Sequence, residues 1–189
     1  MSEIDFPILN KGRISSYLLK QGFTSFLSLT NYVNSLPYGR VALKKDTLSV
    51  IAEKKGTCSS KHLLLASLAM ECEQKDIWLM VGIYKMSGRN TPGIDHIIQK
   101  SGLPYIPEAH CYLKKKEKRY DFTGLEEGVD SPFESLILEQ TIIPDELYQV
   151  KELLHKKEIK NFAKYFHVNP RKVWDIREEC ITALSINNS

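Results

Sequence analysis

A long apolar segment in the middle of the chain constrains the fold more than any other feature. Between Cys58 and Glu73 there is no proline or glycine, which is typical of an uninterrupted helix. A broad apolar stripe at helical spacing runs along it, formed by Leu64, Leu65, Leu68, Ala69 and Cys72. Residues 77–86 follow and are apolar on both alternating faces, as in a strand covered on both sides. The sequence therefore predicts a buried central helix beside a strand in the middle of a sheet.

Helical spacing elsewhere predicts further helices on both sides of this central part. Thr24 is a suitable N-cap for the first of them, and Pro170 lies where a proline opens a helix. Residues 47–51 fit either a strand or a helix, and the stretch from 124 to about 144 is predicted to be a loop. The order is helical, then mixed, then helical, which indicates an α+β fold. The predicted helices span residues 24–35, 94–100, 144–166 (one long or two short) and 170–184.

Length and composition indicate one globular domain spanning residues 1–189. With 189 residues, 42% of them apolar, the chain is long enough for one substantial core and short for two. Its net charge of +3 comes from interspersed acids and bases, so we expect no nucleic-acid partner. Acidic residues near the N-terminus and the lack of a bilayer-length apolar stretch predict a soluble, cytoplasmic protein that binds no membrane. The spacing of the four cysteines does not indicate a disulfide framework, so we expect reduced thiols.

Three side chains far apart in the sequence, Cys58, His110 and Asp121, are the parts of an activated cysteine nucleophile. In such a site the thiolate attacks, the imidazole takes and returns the proton, and the carboxylate fixes the tautomer of the ring. Cys58 is predicted in the first turn of its helix, where backbone amides and the helix dipole stabilise a thiolate and could bind an oxyanion. The alternative is that Cys58 is a small buried apolar residue. Its neighbours in the sequence, which are Gly, Thr, Ser and Lys, favour the functional interpretation.

A predicted hairpin makes a testable statement about His110 and Asp121. Residues 108–114 alternate as a half-exposed strand, and residues 119–123 are predicted to return beside it. With a loop of two or four residues, the numbers of opposed residues sum to an odd value, as 110 and 121 do. The two side chains would then lie on the same face within reach of a hydrogen bond, whereas an odd-length loop would separate them.

Several short patterns together resemble the transglutaminase-like superfamily of cysteine enzymes. They are Gly56-x-Cys58 before an apolar helix, a buried strand ending in Val81-Gly82-Ile83-Tyr84, an aromatic residue two positions after His110, and Asp121-x-Thr123. The resemblance covers about residues 37–124, and a helical part at about 144–185 lies outside it. It implies a papain-related core in which a central helix packs on an antiparallel sheet, with flanking N- and C-terminal helices. It also implies that Cys58, His110 and Asp121 form the catalytic triad.

The sequence departs from the pattern of this superfamily at places that bear on the substrate. Residues 73–76 stand where many members have a Gly-Ile-Pro-Ala-Arg-like turn, and Cys111 follows His110 where a small residue and then a tryptophan are usual. Ser59 follows Cys58, so the papain signature of an aromatic residue after the nucleophile is absent. The resemblance therefore predicts a fold and a triad rather than a particular substrate.

We expect a thiol enzyme that transfers or hydrolyses the acyl group of an amide or thioester, carried by a small molecule or a peptide. Tyr38, Arg40 and Thr57 are candidate substrate-binding residues, and neither a cofactor nor a metal is expected in the site. Two alternatives stay open. The chain could be a binding module that keeps the fold without turnover. It could also bind zinc through scattered Cys and His residues, or nucleic acid through the basic run 114–119.

Overall fold

The computed structural model describes residues 4–124 and 130–187, and over these residues the fold is α+β. Seven α-helices and one four-stranded antiparallel sheet are present in this part of the chain. The chain divides into two compact units. The first comprises residues 1–80 and 111–124, and the second comprises residues 81–110 and 125–189. The single domain over residues 1–189 stays a prediction.

The first unit contains four helices, which begin where the local sequence offers a cap or a turn. Ser25, rather than the predicted Thr24, is the N-cap of the second helix, because its hydroxyl accepts a hydrogen bond from the Ser28 N–H at 3.2 Å. The stretch that fitted either a strand or a helix contributes to a short helix, which ends at Lys54 in the left-handed region, with φ 52°. The four helices are α1 (Arg13–Lys20), α2 (Phe26–Ser35), α3 (Ser49–Glu53) and α4 (Cys58–Glu71).

Helix α4 is the buried central helix that the sequence predicted. Thr57 is its N-cap and forms a capping box with Ser60, while Cys72 is its C-cap. Every residue from Cys58 to Ala69 is buried, so the helix is covered on all sides. The burial includes Lys61 and His62, two polar side chains that lie outside the apolar stripe. Their presence inside the unit requires polar partners, which are described with the site below.

The sheet has the strand order β3-β2-β1-β4, with β1 at Ile77–Met86, β2 at Ile106–Lys115, β3 at Lys118–Tyr120 and β4 at Leu136–Ile142. Strand β1 has the predicted bounds and an interior position, which confirms that prediction. Strand β2 was predicted to be half-exposed, which is wrong: residues 106–113 are buried without alternation, because β2 is also an interior strand. The predicted loop from 124 to 144 was also wrong in part, since β4 lies within it. Strand β4 is an edge strand held by backbone pairing, and its burial has no clean alternation.

The hairpin between β2 and β3 has an even-length loop, as the prediction required. Leu113 pairs with Tyr120 and Lys115 pairs with Lys118, which leaves the two residues Lys116 and Glu117 as the loop. The returning strand is shorter than the predicted 119–123. It ends before Asp121, whose carboxylate instead accepts a hydrogen bond from the Thr123 N–H and turns the chain.

The second unit is built on helices that cover an apolar core. Gly102 ends the first of these helices in the left-handed region, with φ 71°, and Pro170 opens the last one as predicted. Ile106, Phe162 and Val173 lie in the core between them. The helices are α5 (Asp95–Ser101), α6 (Leu147–Tyr165) and α7 (Pro170–Asn187), with short 3-10 turns at Pro132–Ser135 and Pro144–Glu146. Within the described ranges, every helix is too short or too polar to traverse a bilayer.

Candidate functional site

Cys58 is the first residue of α4, immediately after the N-cap Thr57. The first-turn amides and the positive end of the helix dipole are therefore next to the thiol, and both favour a thiolate. Cys58 is 6% exposed, close to the 5% of Cys72 at the other end of the same helix. The two cysteines thus differ in the charge around them rather than in access, and Cys72 is a natural reference for Cys58.

The segment from Pro37 to Gly39 pairs with Gly56, the residue before the N-cap of α4. The Gly39 N–H donates to the Gly56 carbonyl at 3.3 Å, and the Gly56 N–H donates to the Pro37 carbonyl at 3.1 Å. Tyr38 is therefore bridged to Gly56, two residues before Cys58. Arg40, two residues after Tyr38, is exposed. These two candidate substrate-binding residues belong to the same unit as Cys58.

Thr57, the third candidate for substrate binding, has a structural task that the sequence reasoning did not assign. Its hydroxyl accepts a hydrogen bond from the Ser60 N–H at 3.4 Å, and the Ser60 hydroxyl accepts one from the Thr57 N–H at 2.9 Å. This reciprocal pair fixes the first turn of α4 around Cys58.

Asp121 is held in a turn just after β3. Its Oδ1 accepts hydrogen bonds from the Thr123 N–H at 2.9 Å and from the Thr123 hydroxyl at 2.5 Å. The same oxygen lies 3.7 Å from Nε2 of His62, which is entirely buried on α4. The predicted Asp121-x-Thr123 pattern is thus a local structure that fixes a carboxylate in the unit that holds Cys58.

His62 is entirely buried and links α4 to the segment after β3. Its Nε2 accepts a hydrogen bond from the Phe122 N–H at 2.9 Å. The ring proton is therefore on Nδ1, which donates to the Cys58 carbonyl at 2.8 Å. Because both ring nitrogens bind backbone groups, His62 cannot act as the proton acceptor for the Cys58 thiol without breaking one of these bonds.

Lys61 is a buried cation that the sequence reasoning missed. It lies three residues after Cys58, on the same face of α4, and its side chain is fully buried. Its Nζ donates to the Leu36 carbonyl at 2.6 Å and to the Thr123 carbonyl at 2.8 Å. Burial lowers the pKa of Lys61 to about 8, against the opposing effects of the Asp121 carboxylate and the Cys58 thiolate. A lysine inside an uninterrupted apolar helix was the signal that could have identified it.

Gly56 makes room for the stem of Lys61. A Cβ at this position would lie 2.8 Å from the Lys61 Cγ and 3.1 Å from the Ser60 hydroxyl oxygen. The glycine of the Gly56-x-Cys58 pattern is therefore needed here for close packing of a side chain against the backbone.

Cys111, one of the departures from the superfamily pattern, lies near the start of α4. The Ser59 hydroxyl oxygen is 3.4 Å from the Cys111 sulfur and 3.9 Å from the Cys58 sulfur.

His110 belongs to the second unit, where it is buried on β2. The Tyr84 ring meets it edge-on, with ring centres 6.0 Å apart and planes at 77°, and the Phe133 ring lies 6.4 Å away. These aromatic contacts orient the imidazole. Cys58 and Asp121 lie in the first unit, so the Cys58–His110–Asp121 triad stays a prediction.

Neither family models, nor curated proteins, nor solved structures matched the chain when it was compared with each of them. In the described ranges 4–124 and 130–187, no cluster of three or more Cys, His, Asp or Glu side chains has the proximity to hold a metal ion.

Proposed function

We propose that this protein is a cysteine-dependent enzyme that transfers or hydrolyses acyl groups, with a transglutaminase-like core in which α4 packs on the antiparallel sheet. The substrate is a small molecule or peptide with an amide or thioester, and the protein acts in the cytoplasm. Cys58 is the nucleophile, His110 the general base and acid, and Asp121 the residue that orients the imidazole. Tyr38 and Arg40 contribute to the substrate wall.

In the proposed reaction, His110 takes the proton of the Cys58 thiol and the sulfur attacks the carbonyl carbon. The tetrahedral intermediate collapses as the C–N bond of an amide or the C–S bond of a thioester breaks, and the leaving group takes the proton from His110. Water or an amine then attacks the new thioester, His110 again transfers the proton, and the Cys58 thiol is restored. First-turn amides of α4 are the donors that would stabilise the oxyanion.

The observation that carries the proposal is the positive surroundings of the Cys58 sulfur. Cys58 opens α4, and it interacts electrostatically with Lys61, which follows it by three residues on the same helix. A cysteine that serves only as a packing residue does not need either feature. His62 is engaged at both ring nitrogens, which leaves the base of the reaction to another histidine, and His110 is the one that the superfamily resemblance names.

Competitive alkylation tests the nucleophile, with Cys72 as the matched reference. Limiting iodoacetamide is added to the native protein, and the modified cysteines are quantified by mass spectrometry. Cys58 is expected to react at least about tenfold faster than Cys72 at neutral pH, because only Cys58 is next to the positive end of α4 and the Lys61 ammonium. Equal rates for these two almost equally buried cysteines would contradict the proposal.

Acyl transfer itself is tested with an activated ester and an activated thioester. A stable mass increase on Cys58, followed by its loss to water or to an added amine, is the expected result. The C58S variant should not be acylated, and the C72S variant should behave like the natural protein. H110N and D121N are expected to slow acylation while the fold is retained.

A second candidate function is a binding module that keeps this core without turnover. The low exposure of Cys58, 6%, favours it, because a substrate carbonyl needs access to the sulfur. Under this alternative, the panel of acyl probes leaves Cys58 unmodified in folded protein, although urea exposes it to alkylation.

A further inference from the structure

Lys61 connects three segments of the chain around the start of α4. The Leu36 carbonyl that it binds belongs to the C-cap of α2, and the Thr123 carbonyl belongs to the turn that holds Asp121. An ammonium group at the C-terminal end of a helix interacts favourably with the unpaired carbonyls and with the negative end of the helix dipole. Lys61 therefore fixes the turn that carries Asp121 relative to the helix that carries Cys58.

The side chain of Lys61 has little freedom to adopt another position. It is fully buried, and its Cγ lies 2.8 Å from where a Cβ of Gly56 would be. An ammonium has three N–H donors, and among the described residues two of them are used by carbonyls. Over residues 4–124 and 130–187, the hydrogen-bond partners of the cation are thus neutral carbonyl groups.

Two acidic groups of the proposed site interact with this charge. The Asp121 carboxylate and the Cys58 thiolate both favour the protonated form of Lys61, which burial opposes. Interaction between two titrating groups is reciprocal, so the ammonium favours the thiolate form of Cys58 to the same extent.

We infer that Lys61 is a positioning residue of the Cys58 site, which holds the Asp121 turn against α4 and supplies the buried positive charge that stabilises the Cys58 thiolate. This inference rests on the proposed function of Cys58 as a nucleophile. It adds a fourth residue to the three that the sequence suggested, and this residue acts through Cys58 and Asp121 without contacting the substrate.

The test is the pH profile of Cys58 alkylation in K61M and K61R, with Cys72 as the reference in the same sample. K61M is expected to lower the Cys58 rate at neutral pH about tenfold and to shift the profile to higher pH, because one pKa unit is a tenfold change in thiolate. K61R keeps the charge and should restore part of the rate, while the Cys72 rate should not change. Circular dichroism checks that each variant is folded. A folded K61M with the natural Cys58 profile would overturn the inference.

A second measurement tests the interaction between Lys61 and Cys58 even if K61M does not fold. The ammonium of Lys61 is titrated by NMR with ¹⁵N-labelled lysine in the natural protein and in C58S. We expect the pKa of Lys61 to fall by about half a unit in C58S, a threefold change in proton affinity, because the thiolate charge has been removed. An unchanged pKa would overturn the inference.

The two measurements also separate this inference from the proposed function. If Cys58 alkylates no faster than Cys72 in the natural protein, the nucleophile itself is wrong. If Cys58 is alkylated faster than Cys72 but neither its pH profile in K61M nor the pKa of Lys61 in C58S changes, only the role of Lys61 is wrong.

Discussion

Each unit contains a buried cluster of side chains around a cation, which is Lys61 in the first unit and Arg177 in the second. The two cations have different hydrogen-bond partners. In the first unit, Lys61 is bonded to two backbone carbonyls. In the second unit, the Arg177 guanidinium donates from Nε and Nη2 to the two carboxylate oxygens of Glu108, both at 2.7 Å. The first cation donates hydrogen bonds to neutral carbonyls, and the second forms a bidentate ion pair.

The titration of the groups follows from this difference. Burial lowers the pKa of Lys61 to about 8, whereas for Arg177 burial is outweighed by the Glu108 and Glu178 carboxylates together, which raise the pKa. Burial, with Glu179 and Glu108 nearby, raises the pKa of the Cys180 thiol to about 11. The second cluster also contains a thiol, an imidazole in His155 and a carboxylate, yet its thiol stays protonated at neutral pH. Burial and acidic neighbours keep this thiol protonated, so the set of residue types alone does not identify a candidate nucleophile.

The largest effect is expected where the second cluster is broken. R177M leaves the Glu108 carboxylate buried without its bidentate partner and should lower the free energy of unfolding by about 3–5 kcal/mol. Urea denaturation followed by circular dichroism measures the loss. The double variant E108L/R177M has neither charge and should recover most of it. If R177M unfolds at the same urea concentration as the natural protein, the ion pair with Arg177 does not stabilise the buried Glu108 carboxylate.

The sequence predicts a residue's burial well where local spacing determines it, and poorly where contacts with distant segments determine it. Helix α4 and strand β1 followed from apolar periodicity, because their burial is encoded in local spacing. Glu108 and Arg177 are 69 residues apart, and no local pattern relates them. Lys61 and His62 were missed as buried residues, because periodicity assigns polar side chains to solvent. Their burial depends on carbonyl and amide partners from other segments, Leu36, Phe122 and Thr123.

In the region of the candidate site, the start of the helix and the hairpin were more predictable than the contacts that hold the side chains. The position of Cys58 at a helix start followed from the Gly and Ser residues beside an apolar run. The even-length hairpin loop was one of two possibilities that the sequence left open, and the structure has that one. That Asp121 leaves the strand and is held by Thr123 was not predicted, because the turn depends on side-chain hydrogen bonds that periodicity does not report.

The second-largest effect is expected on the free energy of unfolding at alkaline pH, where Lys61 loses its proton and Arg177 does not. The pKa of Lys61 is about 8 in the folded chain and 10.5 in its ordinary state, so between these values the unfolded chain binds more protons. The free energy of unfolding should therefore rise with pH through this window, by on the order of 3 kcal/mol from Lys61 alone. Below about pH 8 the full cost of the buried ammonium is present.

Urea denaturation of the natural protein and of K61M across this window measures the contribution of Lys61 as a difference between the two. The natural protein should gain stability relative to K61M as the pH rises from about 8 to 10.5. Arg177 stays protonated throughout, so R177M should show no such relative change. Parallel pH profiles for K61M and the natural protein would mean that Lys61 is not a buried cation with a lowered pKa.

A smaller effect is expected at His62, which connects the Cys58 carbonyl to the Phe122 amide. H62F leaves the half-buried Phe122 N–H without its acceptor and should cost about 1 kcal/mol of stability. H62Q offers a side-chain oxygen and should recover part of this loss. If H62F lowers the Cys58 alkylation rate to that of Cys72 while the protein stays folded, His62 has a chemical role that its backbone bonds do not indicate.

The smallest effect is expected at the cap of α4, and it tests whether the first cluster depends on a rigid helix start. T57A removes the hydroxyl that accepts from the Ser60 N–H and should cost about 1 kcal/mol, whereas T57S should cost only a few tenths. Fraying of the first turn separates Cys58 from the ordered amides and from Lys61, so T57A should also slow Cys58 alkylation relative to Cys72. The Cys180 rate in the second unit should not change, because its thiol is protonated for reasons that do not involve α4. A T57A variant that loses stability but keeps the Cys58 rate would show that Lys61, and not the order of the helix start, sustains the thiolate.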